Sequence, residues 1–317
     1  MARRRRFGKK LFKALVPILL IVVVAAAIAL GSIVYGITRP PRQSYLVTAQ
    51  SFSQISGSAL KVTDEDWRNR DGSLARGWLL RGAEGAPAVV LLHRYGGDRS
   101  WLFNLGIKIN ETTNFTILWP DLRGHGQNPP VSYSGLGSLE GDDLVAAVDF
   151  LRTVKGYSQK PLVGEAVGAY GVELGAYAAL NAASHDARVK VLVLDSVPSN
   201  PDDLVNASVI GDVGVNNPVL LALARMAVRI YFLGRYENTS SCELAKKMRN
   251  QRVLLLAGAD NSLHDSTVSI VKCFPNPENL ETKLDLPLTG FTSSSATGEQ
   301  GEGYDRPVID FFNKSLE

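Results

Sequence analysis

Three patterns of apolar and polar positions divide the chain. The first is an unbroken apolar run over residues 14–37, 24 positions without a charge. At 1.5 Å rise per residue it is long enough, as a helix, to cross a hydrocarbon layer of about 30 Å. Pro17 stands near its start, where a helix tolerates proline best. The second pattern is a set of compact apolar runs at 88–93, 115–120, 161–164, 189–194 and 252–257, with a weaker one at 282–288. Their continuous apolar character predicts strands covered on both faces. The third is helical periodicity over 139–153, 168–183, 242–250 and 306–313. The alternation predicts an α/β fold with a mainly parallel central sheet and helices on both faces. Asp71-Gly72 has hairpin-turn composition near the front. Residues 198–240 break the rhythm with turn residues and a long apolar helical stretch, 219–233. That interruption reads as a small lid inserted over the strand ends, or as an ordinary surface helix pair.

Charge orients the apolar run. Arg3, Arg4, Arg5, Arg6, Lys9, Lys10 and Lys13 precede it, and only Arg39 and Arg42 follow closely. The positive-inside rule then places the N-terminus in the cytoplasm and the folded part outside. The expected organisation is a basic cytoplasmic segment (1–13), a single membrane-crossing helix (14–37), a stiff linker (38–43) and a folded domain (44–317). A cleaved signal peptide would share the basic start, with Ala27-Ile28-Ala29 as a cleavage site. Its apolar stretch usually runs only about 7–15 residues, so the length favours an uncleaved anchor. Arg4-Arg5-Arg6-Phe7-Gly8-Lys9 also resembles a twin-arginine export signal, a match that four consecutive arginines produce by accident.

Removing the seven leading charges turns the formal net charge of +3 into about −4, and nothing remaining suggests a nucleic-acid surface. Cys242 and Cys273 lack metal-site spacing; they form one bridge outside the cytosol or stay as two thiols. No metal and no cofactor is expected. Five N-x-S/T sites, beginning at Asn110 and Asn114, matter only in a host that glycosylates them.

Four motifs, in order, resemble those of the α/β-hydrolase superfamily. His93-Arg94-Tyr95-Gly96-Gly97 is similar to the loop that carries oxyanion-hole backbone. Asp121-Leu122-Arg123-Gly124-His125-Gly126 is similar to the family's structural turn. Gly164-Glu165-Ala166-Val167-Gly168 fits the strand–turn–helix elbow that presents the nucleophile. Gly258-Ala259-Asp260 stands where the family often keeps its triad acid. The resemblance covers the chain from about Ser44 onward and implies the α/β-hydrolase fold of a serine hydrolase.

On that alignment the chemistry is incomplete. A serine hydrolase needs a nucleophile, a histidine and an orienting carboxylate. The nucleophile position is Ala166, the acid position Asp260, and the histidine position Phe291, with no histidine after His264. The oxyanion region holds Arg94 in place of glycine, followed by Tyr95, with the N–H of Val167 as the second donor. His93, His125, His264, Ser196 and Glu165 assemble no replacement set. Three functions follow as expectations. The protein binds a small apolar or acyl ligand, or an envelope protein partner, without catalysis. It is an enzyme using the same pocket without a serine. Or it is a structural member of a membrane complex.

Overall fold

The computed structural model describes residues 2–42, 44–48, 50–51, 62–258, 262–290 and 299–316, with side chains from residue 12 onward except at 300. Contacts divide the chain into two compact units: Met1–Ile37 with Val205–Arg235, and Thr38–Leu204 with Tyr236–Glu317.

The second unit holds an eight-stranded sheet: β1 (Val62–Arg68), β2 (Leu74–Leu80), β3 (Ala86–Leu92), β4 (Thr116–Asp121), β5 (Val163–Val172), β6 (Val189–Asp195), β7 (Arg252–Gly258) and β8 (Leu280–Leu286). Their order is β1-β2-β4-β3-β5-β6-β7-β8. β2 runs antiparallel to both β1 and β4, and all other pairs are parallel. The crossovers include α2 (Phe103–Thr113), α3 (Glu140–Thr153) and α4 (Leu174–His185), and α9 (Glu299–Leu316) closes the chain.

Both faces of the sheet are covered, which explains its unbroken apolar strands. In β3, Ala88, Val90 and Leu92 enter the core beneath α3 and α4, while Val89 and Leu91 enter the core beside α2 and α9. β5 and β6 alternate likewise: Ala169 and Leu192 on the first side, Tyr170 and Val193 on the second.

The sequence is overturned at β5. The pattern placed a strand at 161–164 and a helix from residue 168; the strand runs on to Val172 and α4 starts at Leu174. Ala166, Val167 and Gly168 are strand residues, and Gly164 and Gly168 flank no turn. Gly164 is required because a Cβ there would lie 2.4 Å from the Gly85 carbonyl oxygen, and Gly168 because the Phe312 ring packs against it. The run Ala-Val-Gly-Ala-Tyr-Gly-Val looked helical because its small residues are those that let α4 and α9 approach the sheet closely.

The expected insertion at 198–240 contains α5 (Pro201–Val213), α6 (Pro218–Tyr231) and the start of the short α7 (Ser241–Ala245). Residues 205–235 join α1 (Ala2–Ile37) in the first unit. Within α1, Phe12–Ile37 is long and apolar enough to cross a membrane. Cys242 and Cys273 form a disulfide that closes a loop of 31 residues and ties α7 to the segment after α8 (His264–Ile270).

Candidate active site

A strained backbone step joins β5 to α4. Glu173 occupies it with φ +52° and ψ −105°, a conformation a non-glycine side chain rarely adopts. Its flanks are Gly171 and Gly175, in the spacing Gly171-Val172-Glu173-Leu174-Gly175. A Cβ at Gly171 would lie 2.3 Å from the Gly175 carbonyl carbon, and one at Gly175 would lie 2.3 Å from the Leu92 carbonyl oxygen. The two glycines therefore let strand, turn and helix meet with no side chain between them. This is a strand–turn–helix elbow, seven residues beyond Ala166, and the residue at its apex is a glutamate.

The elbow faces the loop after β3. Tyr95 donates its backbone N–H to Glu173 Oε2 at 3.1 Å. The Arg94 cation stands close enough to favour the ionised carboxylate, and its guanidinium lies 4.7 Å from the centre of the Trp101 ring. Burial acts the other way and wins, pushing the Glu173 carboxyl up to about 7. At neutral pH this partly exposed group is therefore divided between its acid and its anion. Arg94 and Tyr95 thus border the elbow. Val167 does not: it is buried in β5 between Ala88 and Val189, and the N–H that follows the apex belongs to Leu174.

A second polar cluster lies below the sheet edge. β5 and β6 end in register, Val172 opposite Asp195, and the Glu173 N–H donates to the Asp195 carbonyl at 3.0 Å. The fully buried Asp195 carboxylate accepts from Ser196 Oγ (2.7 Å), the Gly290 N–H (2.5 Å) and Tyr304 Oη (2.5 Å). Tyr170 Oη and Tyr304 Oη are 2.6 Å apart. Burial and the Asp195 charge hold both phenols well above their ordinary range, so they stay protonated. These three described donors help to satisfy the buried carboxylate. Ser196 is itself at φ +56° and buried, bonded to the carboxylate instead of presented as a nucleophile.

The turn after β4 is held by its own side chains. Asp121 accepts from the Arg99 N–H (3.0 Å) and Tyr45 Oη (2.7 Å). Arg123 forks onto Asp143 (Nε to Oδ2, 2.6 Å) and reaches Asp71 at 3.2 Å. Gly124 and Gly126 have φ +80° and +77°, and a Cβ at Gly126 would collide with Asp121. His125 donates Nδ1–H to the Arg123 carbonyl at 2.9 Å. His93 donates Nδ1–H to the Arg94 carbonyl (2.8 Å) and accepts the Leu122 N–H at Nε2 (3.0 Å). Burial of the ring, helped by the Arg94 and Arg99 charges and opposed by the bond to the Arg94 carbonyl, lowers its pKa to about 4. His264 touches Asp265 and the Leu284 carbonyl, and Glu165 is exposed. Asp260 and Phe291 lie outside the described residues. Among the described residues no three His, Cys, Asp or Glu side chains gather to hold a metal ion.

Sequence reading missed Glu173, Asp195 and the paired tyrosines. One signal for the first was available: Gly171 to Gly175 repeats the glycine spacing of Gly164 to Gly168 around a different central residue.

No protein-family model matches the chain. A curated thiohydrolase of Aspergillus aculeatus is 26% identical over 124 residues, 39% of this chain and 37% of that protein. An uncharacterised protein of Mycobacterium tuberculosis is 37% identical over 83 residues, 25% of this chain and 24% of that protein. The matched segments thus span about a third or less of those relatives. Among solved structures, an esterase of Pyrococcus furiosus superposes with a TM-score of 0.67 at 19% identity, covering 88% of this chain and 98% of the other. An α/β hydrolase of Penicillium superposes with a TM-score of 0.58 at 17% identity, covering 81% and 99%. The strand order, the glycine-flanked elbow after β5 and these superpositions together give the chain the α/β-hydrolase fold.

Proposed function

We propose that this is a membrane-anchored α/β-hydrolase-fold protein that works without serine-hydrolase chemistry. In this reading the elbow, with Arg94 and Tyr95, binds a small ligand that has an apolar or acyl body and a polar head. The observation that carries it is the Glu173 carboxylate, which stands at the elbow apex and takes the Tyr95 N–H that an oxyanion would otherwise receive. A carboxylate there cannot be activated as a hydroxyl nucleophile is. His93 is committed to backbone groups through both ring nitrogens, whereas His125 is bonded through Nδ1 to the Arg123 carbonyl and keeps a buried Nε2 without a hydrogen-bond partner among the described residues. Arg94 offers a cation and protonated Glu173 a donor, a pair suited to an ester, acid or amide head group.

Placement outside the cytoplasm is part of the same reading. It is supported by the basic cluster before the apolar helix and by the Cys242–Cys273 disulfide, a bond favoured in oxidising compartments.

A second reading is favoured by one property of the site. A carboxyl poised near pH 7 is what a general acid or base requires. On that reading Glu173 moves a proton in a non-hydrolytic reaction of the same ligand.

One set of measurements separates the readings. A fluorophosphonate probe is expected to leave the protein unlabelled. A thermal-shift screen of esters, acyl lipids and short peptides is expected to find a stabiliser, worth about 2.7 kcal/mol at a hundred times its Kd. Its effect should vanish in Arg94→Ala. Turnover of that compound, lost in Glu173→Gln, favours the acid–base reading. Strong labelling that the compound competes away contradicts both.

A further inference from the structure

The unit formed by Met1–Ile37 and Val205–Arg235 has an apolar surface that its own packing leaves open. Within it α6 lies against α1. The buried positions of α6 are Leu221, Ala224 and Val228. On another side, Val219, Leu223, Met226 and Ile230 are 65%, 38%, 51% and 64% exposed. Their spacing of four, three and four residues makes one continuous stripe along a helix. Val213, Val215 and Leu233, also exposed, extend the apolar surface beyond the helix ends. Isolated exposed apolar residues need no explanation, but an ordered stripe marks a contact surface.

α1 indicates what covers that stripe. From Phe12 to Ala29 its positions are exposed, as expected of a helix whose surroundings are hydrocarbon. Only its last two turns carry an inward stripe, with Leu30 and Ile33 half-buried and Val34 and Ile37 buried. Gly36 lies in the same two turns, and a Cβ there would stand 3.6 Å from Asp212 Oδ2 on α5. The α5–α6 hairpin therefore meets α1 at the end away from the basic cluster, where the helix leaves the hydrocarbon layer. α6 cannot cross that layer alone: its 14 residues span about 21 Å. Its 117° bend from α5 rules out a straight joint span.

We infer that α6 is embedded in the leaflet from which α1 emerges, its Val219, Leu223, Met226 and Ile230 facing lipid acyl chains. The chain then holds the membrane twice, by a crossing helix and by a hairpin that enters one leaflet. The apolar face of α6 continues the lipid-facing surface of α1, so one environment accounts for both. Arg229, exposed within the α6 stripe, has the stem length to reach phospholipid head groups from there.

The test uses the full chain in vesicles of phosphatidylcholine and phosphatidylglycerol. A single cysteine replaces Met226 or Ile230 and carries an environment-sensitive fluorophore; Cys242 and Cys273 are bonded to each other and do not compete for it. Replacing phosphatidylcholine by its acyl-dibrominated form should quench these labels by roughly half or more, as it quenches a label at Val22 in α1. Aqueous iodide should quench them little. A label at Tyr157, exposed in the sheet unit, should respond to iodide alone. Labels at 226 and 230 that respond to iodide and not to bromolipid overturn the inference. Labels that respond to neither overturn it too, because a second copy or another protein then covers the stripe.

Discussion

Replacing Arg123 with methionine is expected to destabilise the sheet unit by about 3–5 kcal/mol at pH 8, one of the two largest losses foreseen for any single change. The guanidinium is almost wholly buried and makes a bidentate contact with Asp143, with Asp71 on its outer side. Removing it strands Asp143 in a buried setting beside the acidic Glu140 and Asp71. Burial already pushes the Asp143 carboxyl up to about 6, even with Arg123 opposing it. Because the folded-state value lies above the ordinary one, this carboxyl favours the fold when protonated and loses that advantage as pH rises through 6. Without Arg123 its pKa climbs further, so the variant's deficit should widen from pH 5 to pH 8. Denaturant unfolding across that range measures it. Adding Asp143→Leu should recover most of the loss, since the penalty comes from an unpaired charge and not from a missing contact.

Gly171→Ala is expected to cost about 3 kcal/mol or more, while Gly168→Ala costs roughly 1 kcal/mol. The new methyl at 171 would sit 2.3 Å from the backbone of Gly175, so β5 and α4 must separate to admit it. At 168 the obstacle is the edge of the Phe312 ring at 2.8 Å, a side chain that can turn. The ordering follows from where the chain bends. Gly164 is intolerant for a different reason, its close contact with the Gly85 carbonyl oxygen. Thermal unfolding of the two variants gives the comparison directly.

The fold was legible because its signals are redundant. Unbroken apolar runs such as β3 and β6 require cover on both faces, and a parallel sheet between helices is the arrangement that supplies it. The long apolar helix within α1 was legible for a similar reason, since it follows from length and lack of charge alone. The site was legible in part. The loop at Arg94 and Tyr95 and the turn at Asp121 to Gly126 were singled out by their resemblance to hydrolase motifs, and in the structure both make named contacts. The elbow was misplaced by seven residues because the later part of β5, Gly168 to Gly171, is built from Ala, Gly and Tyr. Local pattern cannot separate a strand made small for packing from the opening of a helix. What separated them was tertiary: Gly85 against Gly164, Phe312 against Gly168, and Leu92 against Gly175. The Asp195 cluster was out of reach for the same reason, because its partners Gly290 and Tyr304 come from 95 and 109 residues away.

Glu173, a partly exposed carboxylate, stands at the apex of the turn between β5 and α4, where this fold presents its nucleophile. That placement is tested most directly by the pH dependence of stability in Glu173→Gln against the unchanged protein. Glu173 has a folded-state value near 7, above its ordinary 4.5, so its protonated form stabilises the fold and that advantage is lost between those values. Glutamine does not titrate. Equal slopes are expected below about pH 4.5, and between pH 4.5 and 8 the variant should gain about 2 kcal/mol on the unchanged protein, a figure reduced for the partial exposure of the site. Stability curves that stay parallel across that window would contradict that placement.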